Sequence, residues 1–482
     1  MLVMTNPITE EKSEGRDELE LRRDSIAELG QRFVVFGAGR SGRAATRLLA
    51  ALGFSATLVD EKSSDQLPDV AAEAEREGYT ASLGPLDERL LDGCQVFVLS
   101  PGIPPSHAFV TTALRRRIRL IGELELGFLA TSATLLAVTG TNGKSTTTVW
   151  LARLLRAAGY SSLACGNLGN ALCDAIRRPE ALRSNSALAV EVSSYQLETI
   201  RKFRPRVSLL LNITPDHLER YGGSLASYAE AKYRITELQQ ESDGLVLNRD
   251  DKRCWSLATH SSAKVLGFSR QKPLEEGAFL DDGKLKLTLD GRTWDLCEAH
   301  ELPIPGDHNI ENALAAAAGA AMLGASPADL RTGLLDFGGL EHRIEKVAEI
   351  NGVLFVNDSK ATNPESMEKA LRSFDRPLLV LAGGRAKNTD YRILRDLLQR
   401  QTSRIFLFGE AAPMLADAWK RTAPVEQLPD LEAAFRRAVE TAKAGDVVLL
   451  SPACASFDQY QNFCERGDHF KSLVEEQKRR TD

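Results

Sequence analysis

The chain has 482 residues, which is enough for about three domains, since domains run to roughly 100–200 residues. Hydrophobic residues make up 43% and charged residues 26%, as in an ordinary globular protein with full hydrophobic cores. The formal net charge of −6 argues against a nucleic-acid-binding protein and against a polybasic membrane-binding surface.

The seven cysteines are scattered and include no C-x-x-C pair, which favours a reducing compartment over a disulfide framework or a structural zinc site. The N-terminal residues lack the apolar core of a signal peptide, and no run approaches the ~18 apolar residues of a transmembrane helix. We therefore expect a cytoplasmic monomer that acts on small molecules, with no nucleic-acid partner and no membrane insertion.

Residues 1–30 are dense in charge, and we predict a flexible or loosely helical extension to which we assign no function. A first domain is expected over 31–122. Its strands at 32–36, 56–60 and 96–99 alternate with helical stretches. This alternation predicts a Rossmann-like, largely parallel sheet that is covered on both faces.

A glycine-rich turn, Gly37-Ala38-Gly39-Arg40-Ser41-Gly42, leaves the first strand, and Asp60 follows about twenty residues later. Taken alone, this pattern satisfies the dinucleotide-binding fingerprint and predicts a NAD-dependent dehydrogenase. The turn itself recognises a diphosphate at the N-terminus of a helix, so a UDP-linked ligand would satisfy it equally well. At this point of the chain both interpretations stay open.

The most informative segment lies in a second predicted domain, 123–339. Strand 135–138 leads into the loop 140–146, and a helix follows. Glycines let backbone N–H groups surround phosphate oxygens, while Lys144 would reach the β- and γ-phosphates and Ser145 would bind Mg²⁺. The strict template G-x-x-x-x-G-K-[ST] is not met, because Val138 stands at its first glycine. We therefore predict a shorter phosphate-binding loop.

Candidate metal ligands follow the next two predicted strands. Glu191 lies in the strand 188–192, and Asp216 and His217 come after the strand 207–211. Residues at the carboxyl ends of strands in an open sheet face the ligand crevice, so we predict Glu191 and His217 to be metal ligands. Lys232, in a later helical segment, indicates nothing by itself.

A third α/β domain is predicted over 340–482, with strands at 352–356, 378–381, 405–408 and 447–450. The fold class expected for the whole chain is α/β, with three successive domains and largely parallel sheets. These are a Rossmann-like N-terminal domain, a P-loop central ATPase-like domain and a Rossmann-like C-terminal domain.

Eight ordered motifs resemble those of the Mur ligase family, the enzymes that add amino acids to the peptidoglycan precursor. They are GTNGKST at 140–146, EVSSYQLE at 191–198, NITPDH at 212–217, YAEAKYRI at 228–235, GDHNIENALAA at 306–316, EHRIE at 341–345, VNDSKATNP at 356–364 and LSPACASFDQYQNFCERG at 450–467. The resemblance runs from about residue 32 to the C-terminus. The final motif, with SPGI at 100–103, favours the D-glutamate-adding branch.

The resemblance implies an ATP-dependent ligation in which the carboxylate of UDP-N-acetylmuramoyl-L-alanine is phosphorylated to an acyl phosphate. The amine of D-glutamate would then displace the phosphate. The implied cofactors are ATP, Mg²⁺ at two sites and a CO₂-derived carbamate on Lys232. Ser145 and Glu191 would bind one Mg²⁺, and His217 with the carbamylated Lys232 would serve the second.

The resemblance also implies a role for each remaining site residue. Residues implied to bind ATP are Gly140, Thr141, Asn142, Gly143, Lys144, Ser145, Thr146, Asn309, Asn312, Arg343 and Asp358. Those implied for the UDP substrate are Gly37, Gly39, Ser41, Asp60, Ser100 and Asn167. D-glutamate would be surrounded by Thr362, Lys387, Ser456 and Phe463. The implied catalytic set is Lys144, Glu191, His217, Lys232 and Lys360.

Three rival interpretations remain. A nicotinamide-dependent oxidoreductase would rest on the 37–42 turn alone, whereas the rest of the chain favours UDP there. A ligase of the folate polyglutamate type resembles the central and C-terminal parts but lacks an N-terminal domain with this turn. A non-catalytic nucleotide-binding protein is weakened because every expected phosphate and metal residue is present.

Overall fold

The computed structural model describes residues 18–387 and 389–481. It divides into two compact units. One comprises the described residues up to Leu302 together with Asp307–Phe337, and the other comprises Pro303–Gly306 together with the described residues from Gly338 onward. The predicted extension lies outside the described residues as far as residue 17, and its remainder begins with a helix. The domain boundaries predicted at 31, 123 and 340 stay predictions.

The first sheet is parallel throughout and stands at the start of the first unit. The elements are α1 (Glu18–Ala27), β1 (Arg32–Phe36), α2 (Arg40–Ala51), β2 (Ser55–Asp60), α3 (Pro68–Glu77), β3 (Thr80–Leu83), β4 (Val96–Leu99), α4 (Ala108–Arg115) and β5 (Arg119–Gly122). The five strands have the order β3-β2-β1-β4-β5. The apolar run in β1 is buried on both faces, as expected for the middle strand of a parallel sheet.

The second sheet has nine strands and belongs to the same unit. Its elements are α5 (Glu123–Leu129), β6 (Thr134–Thr139), α6 (Lys144–Ala157), β7 (Ala164–Gly166), α7 (Leu172–Ala175), β8 (Ala187–Glu191), α8 (Ser194–Leu197), β9 (Val207–Leu210), α9 (Leu225–Tyr233), β10 (Gly244–Asn248), α10 (Lys252–Trp255), β11 (Lys264–Ser269), β12 (Gly277–Asp281), β13 (Lys284–Leu289), β14 (Arg292–Glu298), α11 (Asp307–Met322) and α12 (Pro327–Leu335).

The strand order of this sheet determines where its loops meet. It runs β14-β13-β12-β11-β10-β9-β6-β8-β7, and only the β12–β13 and β13–β14 pairings are antiparallel. The strand β6 therefore lies between β8 and β9 and is parallel to both. The segments that leave the carboxyl ends of these three strands consequently emerge at the same edge of the sheet.

The third sheet lies in the second unit. Its elements are β15 (Glu345–Ile350), β16 (Val353–Asn357), α13 (Pro364–Leu371), β17 (Leu378–Gly383), α14 (Arg395–Gln401), β18 (Thr402–Phe408), α15 (Ala412–Ala418), β19 (Val425–Leu428), α16 (Leu431–Thr441), β20 (Val447–Ala453) and α17 (Phe463–Thr481). Six strands have the order β15-β16-β20-β17-β18-β19, and only β15 is antiparallel. Apolar clusters cover both faces. The prediction of three α/β domains with largely parallel sheets is confirmed.

The two sheets of the first unit share one hydrophobic core. Ile26 of α1, Leu49 of α2 and Leu172 of α7 belong to a single buried cluster. The guanidinium of Arg47 forms two hydrogen bonds with the carboxylate of Asp174, which connects α2 to α7. Among the described residues, no helix is both long and apolar enough to cross a lipid bilayer.

Candidate active site

The phosphate loop connects β6 to α6, as predicted, and its glycines are required by its geometry. Gly140 and Gly143 have φ values of +154° and +83°, a region that residues with a Cβ rarely adopt. A Cβ on Gly143 would lie 2.2 Å from Oδ1 of Asn312. Because α6 begins directly after Gly143, the positive end of its dipole faces the space next to the loop.

Two lysine side chains converge on the carbonyl of Gly140. Nζ of Lys144 donates to this oxygen at 2.9 Å and to the carbonyl of Thr141 at 2.8 Å. Nζ of Lys232 donates to the same Gly140 oxygen at 2.8 Å, and this side chain is only 1% exposed. Burial, and next the positive charge of Lys144, hold the pKa of the Lys232 amine well below its usual value. The structure therefore places a lysine that loses its proton readily beside the phosphate loop.

Ser145 and Glu191 form a pair of oxygen donors at the start of α6. The hydroxyl of Ser145 donates to Oε2 of Glu191, which is 3% exposed. Asn167 orients the same carboxylate, because its Nδ2 donates to Oε1 at 2.8 Å and its backbone N–H donates to the Glu191 carbonyl at 2.9 Å. A hydroxyl and a carboxylate are hard oxygen ligands, which suits Mg²⁺.

A complete protein cage for a metal is absent from residues 18–387 and 389–481, where no group of three or more His, Cys, Asp or Glu side chains could hold an ion. Mg²⁺ commonly takes one or two protein oxygens and completes its shell with water and substrate phosphates. The Ser145–Glu191 pair fits that mode of binding.

His217 lies on a turn that follows β9 and, unlike Lys232 and Glu191, is not buried. Its φ is +51° and its side chain is 53% exposed. Nε2 lies 3.6 Å from Oδ2 of Asp216, and Nδ1 lies 3.8 Å from Oε1 of Glu219. The turn lies near the loop, because the carbonyl of Thr214 accepts a hydrogen bond from the Thr141 hydroxyl at 3.1 Å.

The helix α11 brings two asparagines to the start of α6. Nδ2 of Asn312 donates to Oδ1 of Asn309 at 3.2 Å, and both side chains are buried. The hydroxyl of Thr147 donates to Oδ1 of Asn312 at 3.2 Å. The predicted pair is thus close to the phosphate loop, although about 165 residues separate Thr147 from Asn312 in the sequence.

In the first sheet, Ser100 and Asp60 hold the glycine turn in place. The hydroxyl of Ser100 donates to the Gly37 carbonyl at 2.9 Å, and Oδ2 of Asp60 accepts from the N–H of Ala38 at 2.7 Å. A Cβ on Gly42 would lie 1.9 Å from the Gly37 carbonyl oxygen, so the close contact between turn and helix requires glycine.

The start of α2 is open where a diphosphate is expected. Within the part of the chain that the structure describes, a Cβ on Gly39, the N-cap residue, would meet nothing within 4 Å, and Gly39 has no side chain to cap the helix. Ser41 lies in the first turn of the same helix. Ser100 and Asp60 thus hold the turn in place through its backbone, while the helix N-terminus stays accessible to an anion.

The second unit brings together most of the residues predicted in it. Nζ of Lys360 lies 3.9 Å from the centre of the Phe463 ring. Nζ of Lys387 donates to the Thr362 hydroxyl at 3.5 Å, and Ser456 is buried. These side chains follow the carboxyl ends of β16, β17 and β20 or begin α17.

Asp358 is a buried acid of the second unit. Its Oδ2 accepts from the Ser451 hydroxyl at 2.8 Å, and its Oδ1 accepts from the N–H of Ile344 at 3.3 Å. Burial raises the pKa of this carboxyl to about 7, and the nearby Arg343 acts in the opposite direction.

Sequence reasoning missed Arg466, which is fully buried. Its guanidinium donates to the hydroxyl and carbonyl of Ser359 and to the carbonyls of Gly383 and Cys454. It therefore joins the segments that leave β16, β17 and β20. The motif at 450–467 contains this arginine, but nothing in the sequence indicates that its side chain is buried.

Three family models match the chain in order between residues 31 and 454. The Mur ligase MurD-like N-terminal domain matches residues 31–122, the Mur ligase middle domain matches 138–320, and the Mur ligase glutamate ligase domain matches 342–454.

Known relatives match nearly end to end. The UDP-N-acetylmuramoylalanine–D-glutamate ligase of Thermoanaerobacter pseudethanolicus is 39% identical over 454 residues, which cover 93% of this chain and 99% of the relative. The proteins of the same name from Pelotomaculum thermopropionicum and Salinibacter ruber are 40% and 39% identical, cover 92% of this chain, and are themselves 97% covered.

Solved structures share the fold at low sequence identity. The UDP-N-acetylmuramate-alanine ligase MurC from Thermotoga maritima has a TM-score of 0.61 at 18% identity and covers 93% of this chain and 100% of its own. MurF from Acinetobacter baumannii has a TM-score of 0.60 at 17% identity, with coverages of 95% and 97%. With three family models in order and relatives of 39–40% identity along nearly all of the chain, this protein belongs to the Mur ligase family.

Proposed function

We propose that this protein is the ATP-dependent ligase that joins D-glutamate to UDP-N-acetylmuramoyl-L-alanine. The observation that carries the proposal is the convergence of Lys144, Lys232 and the Ser145–Glu191 pair around one phosphate loop. The relatives with 39–40% identity bear the name of this D-glutamate ligase, which supports the choice of amino acid. We propose a cytoplasmic monomer with domains at 31–122, 123–339 and 340–482.

The first chemical step is the transfer of the ATP γ-phosphoryl group to the L-alanine carboxylate, which gives an acyl phosphate and ADP. A carboxylate that approaches a triphosphate meets strong electrostatic repulsion. Lys144 neutralises part of the phosphate charge, and the dipole of α6 adds to this effect. Mg²⁺, when bound, supplies further positive charge next to the transferring group. Ser145 and Glu191 would hold one ion, and His217 and Lys232 would hold another.

Lys232 is proposed to act as a carbamate. Its amine attacks the carbon of CO₂, a C–N bond forms, and one N–H proton is released, which gives an N-linked carboxylate. The buried position and the nearby Lys144 support this step, because both favour the neutral, nucleophilic amine. The product places a negatively charged carbamate near the Lys144 ammonium in place of a neutral amine, and it provides oxygen atoms suited to Mg²⁺.

In the second step the amine of D-glutamate attacks the acyl carbon. A tetrahedral intermediate forms, and its collapse gives the amide and releases phosphate. Thr362, Lys387, Ser456 and Phe463 are proposed to surround the amino acid. The ammonium of Lys387, which already contacts the Thr362 hydroxyl, would pair with a carboxylate of D-glutamate. Asn309, Asn312, Arg343, Asp358 and Lys360 are proposed to act on the nucleotide.

The glycine turn at the start of α2 is proposed to bind the UDP diphosphate. Gly37, Asp60 and Ser100 shape the turn, while Gly39 and Ser41 lie where the helix N-terminus is open. Asn167, which was expected to touch the UDP substrate, orients Glu191 in the structure. We propose that it connects the two sites by lying between Glu191 and the substrate.

A single-turnover experiment with ¹⁸O in the L-alanine carboxylate tests the proposed route. If the carboxylate attacks the γ-phosphate, one labelled oxygen passes into the released phosphate when the amide forms. Mass spectrometry of the phosphate should therefore show the label after one turnover. Unlabelled phosphate, formed together with the amide product, would exclude the acyl-phosphate intermediate.

A further inference from the structure

The side of the phosphate loop is clamped by Asn212, the residue that follows β9 by two positions. Oδ1 of Asn212 accepts a hydrogen bond from the backbone N–H of Asn142 at 2.8 Å, and its Nδ2 donates to the carbonyl of Asn142 at 3.1 Å. The backbone carbonyl of Asn212 accepts from the N–H of Thr141 at 2.9 Å. One residue thus engages three backbone polar groups of two consecutive loop residues.

Neighbouring contacts continue the same pattern along the chain. The N–H of Leu211 donates to the Thr139 carbonyl at 3.0 Å. The hydroxyl of Thr141 donates to the carbonyl of Thr214 and accepts from its N–H at 3.0 Å. The loop and the segment 211–214 therefore extend the pairing of β6 with β9 beyond the ends of the strands. His217 follows this segment, so the clamp also connects the loop to the His217 turn.

A clamp of this kind compensates for the short loop. Val138 stands where the longer P-loop template has its first glycine, and the two glycines at 140 and 143 give the remaining loop large conformational freedom. A primary amide carries an acceptor oxygen and an N–H donor side by side on one edge. The Asn212 side chain can therefore pair with the backbone N–H and C=O of Asn142, as a residue of a neighbouring strand would, and it stabilises one loop conformation before nucleotide binds.

We infer that Asn212 is a positioning residue for the nucleotide, an inference that rests on the proposed binding of ATP. The N–H groups of Thr141 and Asn142 already donate to Asn212. The nucleotide phosphates would therefore be bound by backbone N–H groups from Gly143 onward. The donors there are the first-turn N–H groups of α6, which in any α-helix lack intrahelical acceptors. Preorganisation of the loop by Asn212 then lowers the entropy that is lost when nucleotide binds.

The test compares nucleotide binding by wild-type protein and by the Asn212→Ala variant, with MgADP as the probe in isothermal titration calorimetry. Loss of two side-chain hydrogen bonds should raise the Kd for MgADP about 10- to 100-fold. The KM values for D-glutamate and for the UDP-linked substrate should change by less than about twofold. Hydrogen exchange should become faster in peptides that cover 140–146.

Two further variants make the comparison specific. Asn212→Ser keeps a hydroxyl on a side chain that is too short to reach both the N–H and the C=O of Asn142. Its Kd for MgADP should therefore lie between those of wild type and Asn212→Ala. Asn185→Ala is the matched control, because Nδ2 of Asn185 donates to the Gly159 carbonyl at 2.9 Å beyond the far end of α6. This control loses the same kind of bond and should bind MgADP as tightly as wild type.

Several results would overturn the inference. One is a wild-type Kd in Asn212→Ala. Another is an equal rise in the KM values for MgATP, D-glutamate and the UDP-linked substrate together with a lower melting temperature, which would indicate a merely structural residue. If Asn212→Ala does not fold, the same criteria apply to Asn212→Ser. Wild-type protein that does not bind MgADP would overturn the proposed function as well, so the two failures are distinguishable.

Discussion

Glu123, at the first position of α5, provides a stability test that depends on a single buried carboxyl. The residue is 2% exposed, and its Oε1 accepts from the N–H of Cys173 at 2.7 Å. Its Oε2 is buried and has no hydrogen-bond partner among the residues that the structure describes. Burial raises the pKa of this carboxyl from 4.5 to about 7. The change to test is Glu123→Gln, which imitates the protonated acid at every pH.

The raised pKa of Glu123 determines how the stability of the folded protein changes with pH. Because the folded state holds the proton more tightly than the unfolded state, the stabilisation is complete below the unfolded pKa and is lost as pH rises through the folded pKa. The rise in the pKa from 4.5 to about 7 corresponds to about 3.5 kcal/mol, because a pKa difference of one is worth roughly 1.4 kcal/mol. The unfolding free energy of wild type should therefore fall by about 3.5 kcal/mol relative to that of Glu123→Gln between about pH 4.5 and pH 8.

The assay is urea denaturation at several pH values, read by pulse-labelled hydrogen exchange in peptides from α5 and α7. Peptide resolution keeps unfolding of the second unit out of the measurement, since the two units need not unfold together. The difference in unfolding free energy between the two proteins should grow with pH. A difference that stays constant from about pH 5 to pH 8 would show that Glu123 is ionised in the folded state and would refute the reasoning.

Lys232→Ala should lose activity by a factor on the order of 10²–10³ or more and regain part of it with bicarbonate and a short carboxylic acid, whereas full activity without any additive would remove Lys232 from the site. Glu191→Gln should raise the Mg²⁺ concentration for half-maximal phosphate release about tenfold, with Glu241→Gln, at an exposed residue, as the control. An unchanged Mg²⁺ titration would contradict the role of Glu191 as a metal ligand. Arg47→Met should destabilise the first unit by about 2 kcal/mol in urea denaturation, because the carboxylates of Asp174 and the buried Glu73 lose a partner. An unaltered denaturation midpoint would show that this contact between α2 and α7 contributes nothing to stability.

The sequence was sufficient to predict the strands that carry the site. The strands β1, β6 and β8 are largely apolar runs, as is β9 apart from Ser208, and glycine turns or polar residues follow them; such runs are typical of buried parallel strands. The antiparallel edge from β12 to β14 was not predicted. Its strands mix buried with exposed positions and contain charged residues, so their pattern is weak.

Side-chain partners were less predictable than positions. Asp60 was expected from the resemblance to bind the UDP substrate, and the structure shows its carboxylate bonded to the backbone of the glycine turn. Lys232 gave no signal of its own, yet it meets Gly140 across a separation of 92 residues. Contacts of this kind depend on how strands are ordered in the sheet, and spacing along the chain does not contain that information.

The most direct test of the proposed ligase activity is phosphate release by the purified protein with MgATP, each UDP-linked precursor and each candidate amino acid. Release should require UDP-N-acetylmuramoyl-L-alanine and D-glutamate together, with one phosphate for each amide formed. Equal or faster release with L-alanine, a diamino acid or a dipeptide in place of D-glutamate, or release that needs no amino acid, would contradict the proposal.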